Sequence, residues 1–219
     1  MDRNRSVKKL VILSMLGAIA YVLMVTIRVP VVLFLKYEPK DVIIAIGGFL
    51  YGPLSSALVS LLVSLLEMVT VSETGPIGCL MNFISTCSFA CTAAFIYKKK
   101  HSLSGAVWGL LAGSVFMIGL MLLWNWLVTP LYMGIPRSGV EPLLLPAFLP
   151  FNALKAGLNT AFTLLLYKPL VTALRRSGLV SGTGNSHAPT KGSRLGLFLC
   201  AAALLATCIL LLLVWRGVL

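Results

Sequence analysis

The sequence predicts an all-α membrane protein that crosses the bilayer several times, and three observations carry that expectation. Of its 219 residues 58% are hydrophobic and 11% charged, with a mean hydropathy of +0.97, far from the balance of a soluble domain. The apolar residues fall in successive runs, several near the roughly 20 residues a helix needs to cross about 30 Å of hydrocarbon. Lysines and arginines collect in short clusters between those runs. The bilayer is therefore the solvent in which the chain has to be read.

Charge and Gly/Pro punctuation divide the apolar runs into spans near 8–28, 41–52, 54–71, 78–97, 105–129, 148–174 and 195–215. The first follows a basic start, Met1 to Lys9, that resembles a signal-peptide leader, yet its apolar run is long and lacks a small-residue cleavage site, so it is read as a retained span. The second is short and ends at Gly52-Pro53, as a tilted or broken helix would; counting it as a crossing makes the charge pattern self-consistent. The third, fourth and fifth follow, with outer connections at 72–77 and 130–147 and an inner one at Lys98, Lys99 and Lys100. The sixth opens with polar residues and ends at Arg175 and Arg176. A Gly-, Ser- and Thr-rich stretch then reads as a flexible linker, and the last run, with no polar group beyond Ser, Thr or Cys, as a lipid-facing or packing helix. The expected organisation is a six-span domain over 1–176, a cytoplasmic linker over 177–194 and an additional C-terminal transmembrane helix over 195–219.

Arg3, Arg5, Lys8 and Lys9, the three lysines at 98–100, and Arg175, Arg176, Lys191 and Arg194 mark the cytoplasmic face. The expectation is a multi-pass protein of the cell membrane with its N-terminus inside. The formal charge of +12 is thus a topology signal; no basic stripe interleaved with aromatics suggests a nucleic-acid partner. Cys79, Cys87, Cys91, Cys200 and Cys208 all lie in apolar stretches, and His101 and His187 fall in expected cytosolic loops, so no metal centre is expected.

A charge at mid-span costs on the order of 2.5–3.5 kcal/mol on insertion scales, so each intramembrane polar residue asks for a reason. Glu67, Asn82, Asn125, Asn152 and Lys155 all fall roughly 6–8 Å below the outer boundary at 1.5 Å per residue, where four helices could bring them to one cavity. Asn152, Lys155 and Asn159 follow i, i+3, i+7 spacing and share one helix face. Two readings stay open. Glu67 could pair with Lys155 and the asparagines bond between helices, or the set could bind a ligand, with Trp124 lining an apolar slot while Asn125 reads the edge of a planar molecule. No nucleotide loop, zinc motif, paired acids or nucleophile with a base is present, so no intrinsic enzyme is expected, and uphill transport would need an outside source of energy.

The outer segment Phe34-Leu35-Lys36-Tyr37-Glu38-Pro39-Lys40-Asp41-Val42, continuing through Ile46-Gly47-Gly48-Phe49 to Tyr51-Gly52-Pro53, resembles the substrate-binding (S) components of energy-coupling factor (ECF) vitamin transporters, especially the riboflavin-specific ones. Thr74-Gly75-Pro76-Ile77-Gly78 with Asn82-Phe83, Trp124-Asn125 and Phe151-Asn152-Ala153-Leu154-Lys155 are similar too, so the resemblance covers roughly residues 8–176. Glu38 and Lys40 depart from the Asp and Ser more often found in that loop, and Cys79 stands where an acid is common.

The resemblance implies a six-helix protein that captures a vitamin near the outer face under a gating loop. It then releases the vitamin inward within a complex of a transmembrane coupling subunit and two cytosolic ATPases. It implies flavin contacts at Asn125, Asn152 and Lys155, and Glu38, Asp41, Glu67, Asn82 and Trp124 are counted with them. Ser14 and Ala18 match a small-residue patch that touches the coupling subunit. No cofactor is expected; riboflavin would be the transported ligand. The alternatives are an S component for another small heteroaromatic or anionic molecule, or a membrane scaffold whose polar residues only lock helices together.

Overall fold

The computed structural model describes residues 2–176, 198, 201–209 and 213. The linker expected over 177–194 lies outside the described residues, as does most of the helix expected over 195–219. Seven helices carry the described fold: α1 (Asp2–Thr26), α2 (Lys40–Tyr51), α3 (Pro53–Thr70), α4 (Gly75–Lys99), α5 (Leu103–Met133), α6 (Arg137–Leu143) and α7 (Leu149–Arg176). Among the described residues four segments are long and apolar enough to cross a membrane: Ser6–Thr26 of α1, α3, α4 and α5. The 28 residues of α7 reach about 42 Å at 1.5 Å per residue; they include the stripe of Asn152, Lys155 and Asn159, all buried.

The second expected span is not a full crossing by itself. Its helix, α2, has 12 residues, about 18 Å against about 30 Å of hydrocarbon. It has no need of that length, because residues 40–49 are all buried among α1, α3, α4 and α7, so its backbone never meets lipid. Gly52 takes a left-handed φ of 91° at the break, and Pro53 opens α3 at a position where a missing amide costs nothing.

The loop between α1 and α2 holds an antiparallel hairpin, β1 (Val29–Val32) and β2 (Leu35–Tyr37), which two such short strands do not announce in sequence. Leu33, at its tip, takes a φ of 50°, costly for a branched side chain. The adjacent Phe34 docks edge-on to Tyr132 with ring centroids 5.1 Å apart. The expected outer loop 130–147 is also structured. Helix α5 runs through Pro130 to Met133, then α6 and a π-helical turn at Leu144–Phe148 lead into α7. Pro142, Pro146 and Pro150 each remove an amide donor there, which accounts for the irregular entry.

Aromatic packing fixes which helix ends meet. Lys9 lies 5.8 Å from the centre of the Tyr51 ring. Phe49 stacks within 4.7 Å of Tyr97 and 5.4 Å of Tyr167, whose hydroxyls bond each other. The start of α1 and the ends of α2 and α4 therefore lie together with the distal part of α7, while the hairpin and α6 occupy the opposite end. This is the alternation that the lysine and arginine clusters require.

Gly109 and Gly113 let α5 approach the backbone of α4, and Gly105 sits against the connection that precedes α5. A Cβ at Gly109 would meet the Ala93 carbonyl oxygen at 2.7 Å, one at Gly113 that of Phe89 at 2.5 Å, and one at Gly105 that of Lys100 at 2.0 Å. In lipid such small-residue seams let backbones approach and gain dispersion contacts. Gly113→Val is expected to destabilise by about 1–3 kcal/mol, the usual range for overpacking, and to lower the melting temperature in detergent by several degrees. Gly119→Ala, where nothing lies within 4 Å, is the control; equal melting of the two variants would contradict this account of the seam.

Candidate functional site

The end carrying the hairpin holds five of the chain's six acidic residues, Glu141 on α6 and the four that build the site, Glu38, Asp41, Glu67 and Glu73. Uncompensated carboxylates in hydrocarbon would be prohibitive, and each of these four has a cation beside it. Glu67, near the end of α3, takes the ammonium of Lys40, a guanidinium N–H of Arg28 at 3.3 Å and the Asn82 amide at 2.8 Å. Arg28 also donates to Glu38 at 2.8 Å and to the Val71 carbonyl at 2.7 Å, and Lys40 returns to Glu38 at 2.7 Å. One network thus ties the end of α1, the hairpin exit, the start of α2, the end of α3 and α4.

A second polar layer adjoins it. Asp41 accepts from Thr86 at 2.6 Å and Asn159 at 3.0 Å, and lies 3.3 Å from the Lys155 ammonium, which also donates to Ser85 at 3.3 Å. The Tyr37 phenol donates to Asn159 at 3.3 Å. Burial, aided by the charge of Asp41, pushes that phenol well above its ordinary value, so it remains a donor. At the rim, Lys36 donates to Glu73 at 2.7 Å and holds its exposed carboxyl below the ordinary value.

Between these layers opens a cavity whose free space, its open mouth included, comes to about 610 Å³. Six expected residues line it: Glu38, Glu67, Asn82, Asn125, Asn152 and Lys155. Phe34, Leu35, Met81, Met121 and Phe151 supply apolar wall. Asn125 donates to the Met121 carbonyl at 2.7 Å and accepts from Thr129 at 2.9 Å, and Asn152 donates to the Phe148 carbonyl at 2.8 Å. These bonds fix both amides while leaving further donor and acceptor capacity.

Two expected site residues sit elsewhere. Trp124 lines an adjoining cleft of about 250 Å³ with Phe34, Val128 and Tyr132. Asp41 is fully buried and is not part of the cavity wall; it holds Lys155 and Asn159. The suggested Glu67–Lys155 pair is not formed, because Lys40 and Arg28 reach Glu67 first and Asp41 takes Lys155. Glu67 of α3 and the hairpin close one side of the cavity. Ser14 and Ala18 are exposed on α1, whereas Gly17 faces α3. Arg28, Lys40 and Ser85 escaped the sequence reading, although three cations at 28, 36 and 40 on the side expected to be poor in positive charge were the available signal.

Comparison with known proteins gives one consistent result. The family described as ECF transporter, substrate-specific component, matches residues 8–167. The riboflavin transporter RibU of Staphylococcus aureus (strain TCH60) is 30% identical over 178 residues, 77% of this chain and 93% of its own. The riboflavin transporter FmnP of Bacillus subtilis (strain 168) is 33% identical over 175 residues, 74% of this chain and 92% of its own. A solved structure described as the S component of a bacterial ECF transporter superposes with a TM-score of 0.66 at 30% identity, covering 80% of this chain and 100% of that one.

The network makes Glu67 the most sensitive acid. Glu67→Ala leaves Lys40 and Arg28 short of a buried partner and is expected to cost about 3–5 kcal/mol, read as a fall in melting temperature of the order of 10 °C. Glu73→Ala, at an exposed pair, is expected to shift it far less. Similar shifts for the two variants would contradict the central place of Glu67.

Proposed function

The chain belongs to the substrate-specific components of ECF transporters, and from that premise we propose that it captures riboflavin in the cavity beneath the hairpin and delivers it inward without altering it chemically. The observation that carries this reading is the charge balance of the cavity. Arg28, Lys36, Lys40 and Lys155 are matched one for one by Glu38, Asp41, Glu67 and Glu73. No net field favours an anion, and Asp41 holds the one cation of α7 that lines the cavity. What the walls offer instead is apolar surface with asparagine amides, a serine hydroxyl and a compensated ammonium, a set suited to a planar, neutral ring bearing carbonyl and imide groups.

Capture then proceeds by elementary steps. The hairpin admits the ligand and water leaves the apolar wall, which supplies affinity. Asn125, Asn152 and Lys155 orient the ring, and a ligand lacking matching groups would leave them unpaired at about 1–3 kcal/mol each. Glu38, Glu67 and Asn82 frame the opposite wall, with their network fixing hairpin and helix ends; Asp41 acts behind Lys155, and Trp124 borders the adjoining apolar cleft.

The sequence carries no nucleotide-binding loop, and membership of the family supports an outside source of energy for uptake: a transmembrane coupling subunit and two cytosolic ATPases. The exposed Ser14 and Ala18 support the coupling contact, because small residues on a lipid-facing helix let another helix approach closely. The lysine and arginine clusters support a cytoplasmic N-terminus, with the hairpin and cavity on the outer side.

Fluorescence quenching of riboflavin titrated with purified protein tests the site. Asn152→Ala and Lys155→Ala are each expected to weaken binding tenfold or more, at least about 1.4 kcal/mol. Unchanged curves for both would remove the assigned site. A larger loss for an anionic ligand than for riboflavin on replacing Lys155 would favour a different vitamin.

A further inference from the structure

Residues 201–209 are helical and lie beyond the stretch that the family match accounts for. Their burial is periodic: Ala201 is 2% exposed, Cys208 6%, and Leu205 is half-buried, while Leu204 and Ile209 are exposed. Spacing of i, i+4, i+7 puts the three on one stripe, so one face of this helix is covered by protein.

What covers it is specific. A Cβ at Gly157 of α7 would come within 2.8 Å of the Cys208 sulfur, so the glycine supplies a notch into which Cys208 fits. Cys208 shares a buried cluster with Leu154 and Leu158 of α7 and with Tyr37 of β2, and Val29 of β1 packs against the same cluster. One helix face thus reaches both the turn of α7 that carries Lys155 and the two strands that close the cavity. Strands of four and three residues are marginal without outside packing, so what rests on Tyr37 and Val29 governs how readily the hairpin opens.

We infer that segment 201–209 is an intramolecular brace that docks in the Gly157 notch and pins the hairpin over the cavity. Removing the brace raises the rate at which the hairpin opens while leaving the helix bundle intact. The polar chain from Tyr37 through Asn159 and Asp41 to Lys155 makes the effect local, since it joins the braced strand to α7 directly.

The test uses the full-length protein and needs no ligand. In Gly157→Cys, mild oxidation with copper phenanthroline is expected to link the new thiol to Cys208, seen as a joined peptide by mass spectrometry and lost in the added Cys208→Ala background. Amide hydrogen exchange of the hairpin, 29–37, is expected to be at least tenfold faster in Gly157→Leu, where the notch is filled, with protection of α3, α4 and α5 unchanged. Should Gly157→Leu fail to fold, the double variant Leu205→Ala, Cys208→Ala removes the contact without adding volume and must show the same selective increase. Absence of the cross-link, or hairpin exchange equal to wild type in the folded variants, overturns the brace.

Discussion

The structure at the hairpin end depends on one buried carboxylate. Glu67 draws in Lys40, Arg28 and Asn82, and through them Glu38, so five segments of chain converge where hydrocarbon would otherwise forbid any of these charges. The desolvation cost of such groups is several kcal/mol each, and mutual pairing is what makes their burial tolerable. The network adds to the apolar burial of α2 and to the docking of Phe34 on Tyr132, and ties the hairpin to the helix ends. Glu38 and Lys40, residues of the segment that joins the hairpin to α2, both belong to it.

In the proposed function the second polar layer serves as the recognition surface. Lys155 alone would favour an anion, but Asp41 sits beside it and is itself held by Thr86 and Asn159. The ammonium remains a hydrogen-bond donor while its charge is balanced within the protein. A cavity with apolar walls, fixed amides and no net charge selects by hydrogen-bond pattern and shape, which suits a neutral heteroaromatic vitamin.

The long apolar spans and their alternation were legible because hydropathy and the placement of Lys and Arg report directly on the bilayer. The cost of intramembrane polarity likewise pointed to Glu67, Asn82, Asn125, Asn152 and Lys155. Partner choice was not legible, since Glu67 and Lys155 look complementary in sequence and only the approach of Lys40 and Arg28 separates them. The hairpin was missed because its strands are too short for a period-two pattern, and its partner contacts are distant in sequence. Helix α2 reads as too short for a crossing because its burial inside protein leaves no trace in its length.

The central claim is that the cavity holds riboflavin. Its most direct test is the visible absorption spectrum of the detergent-purified wild-type protein, before and after adding riboflavin and removing the excess. Flavin bands retained at about one ligand per chain are the predicted result. A colourless protein that retains no riboflavin under the same conditions would contradict it.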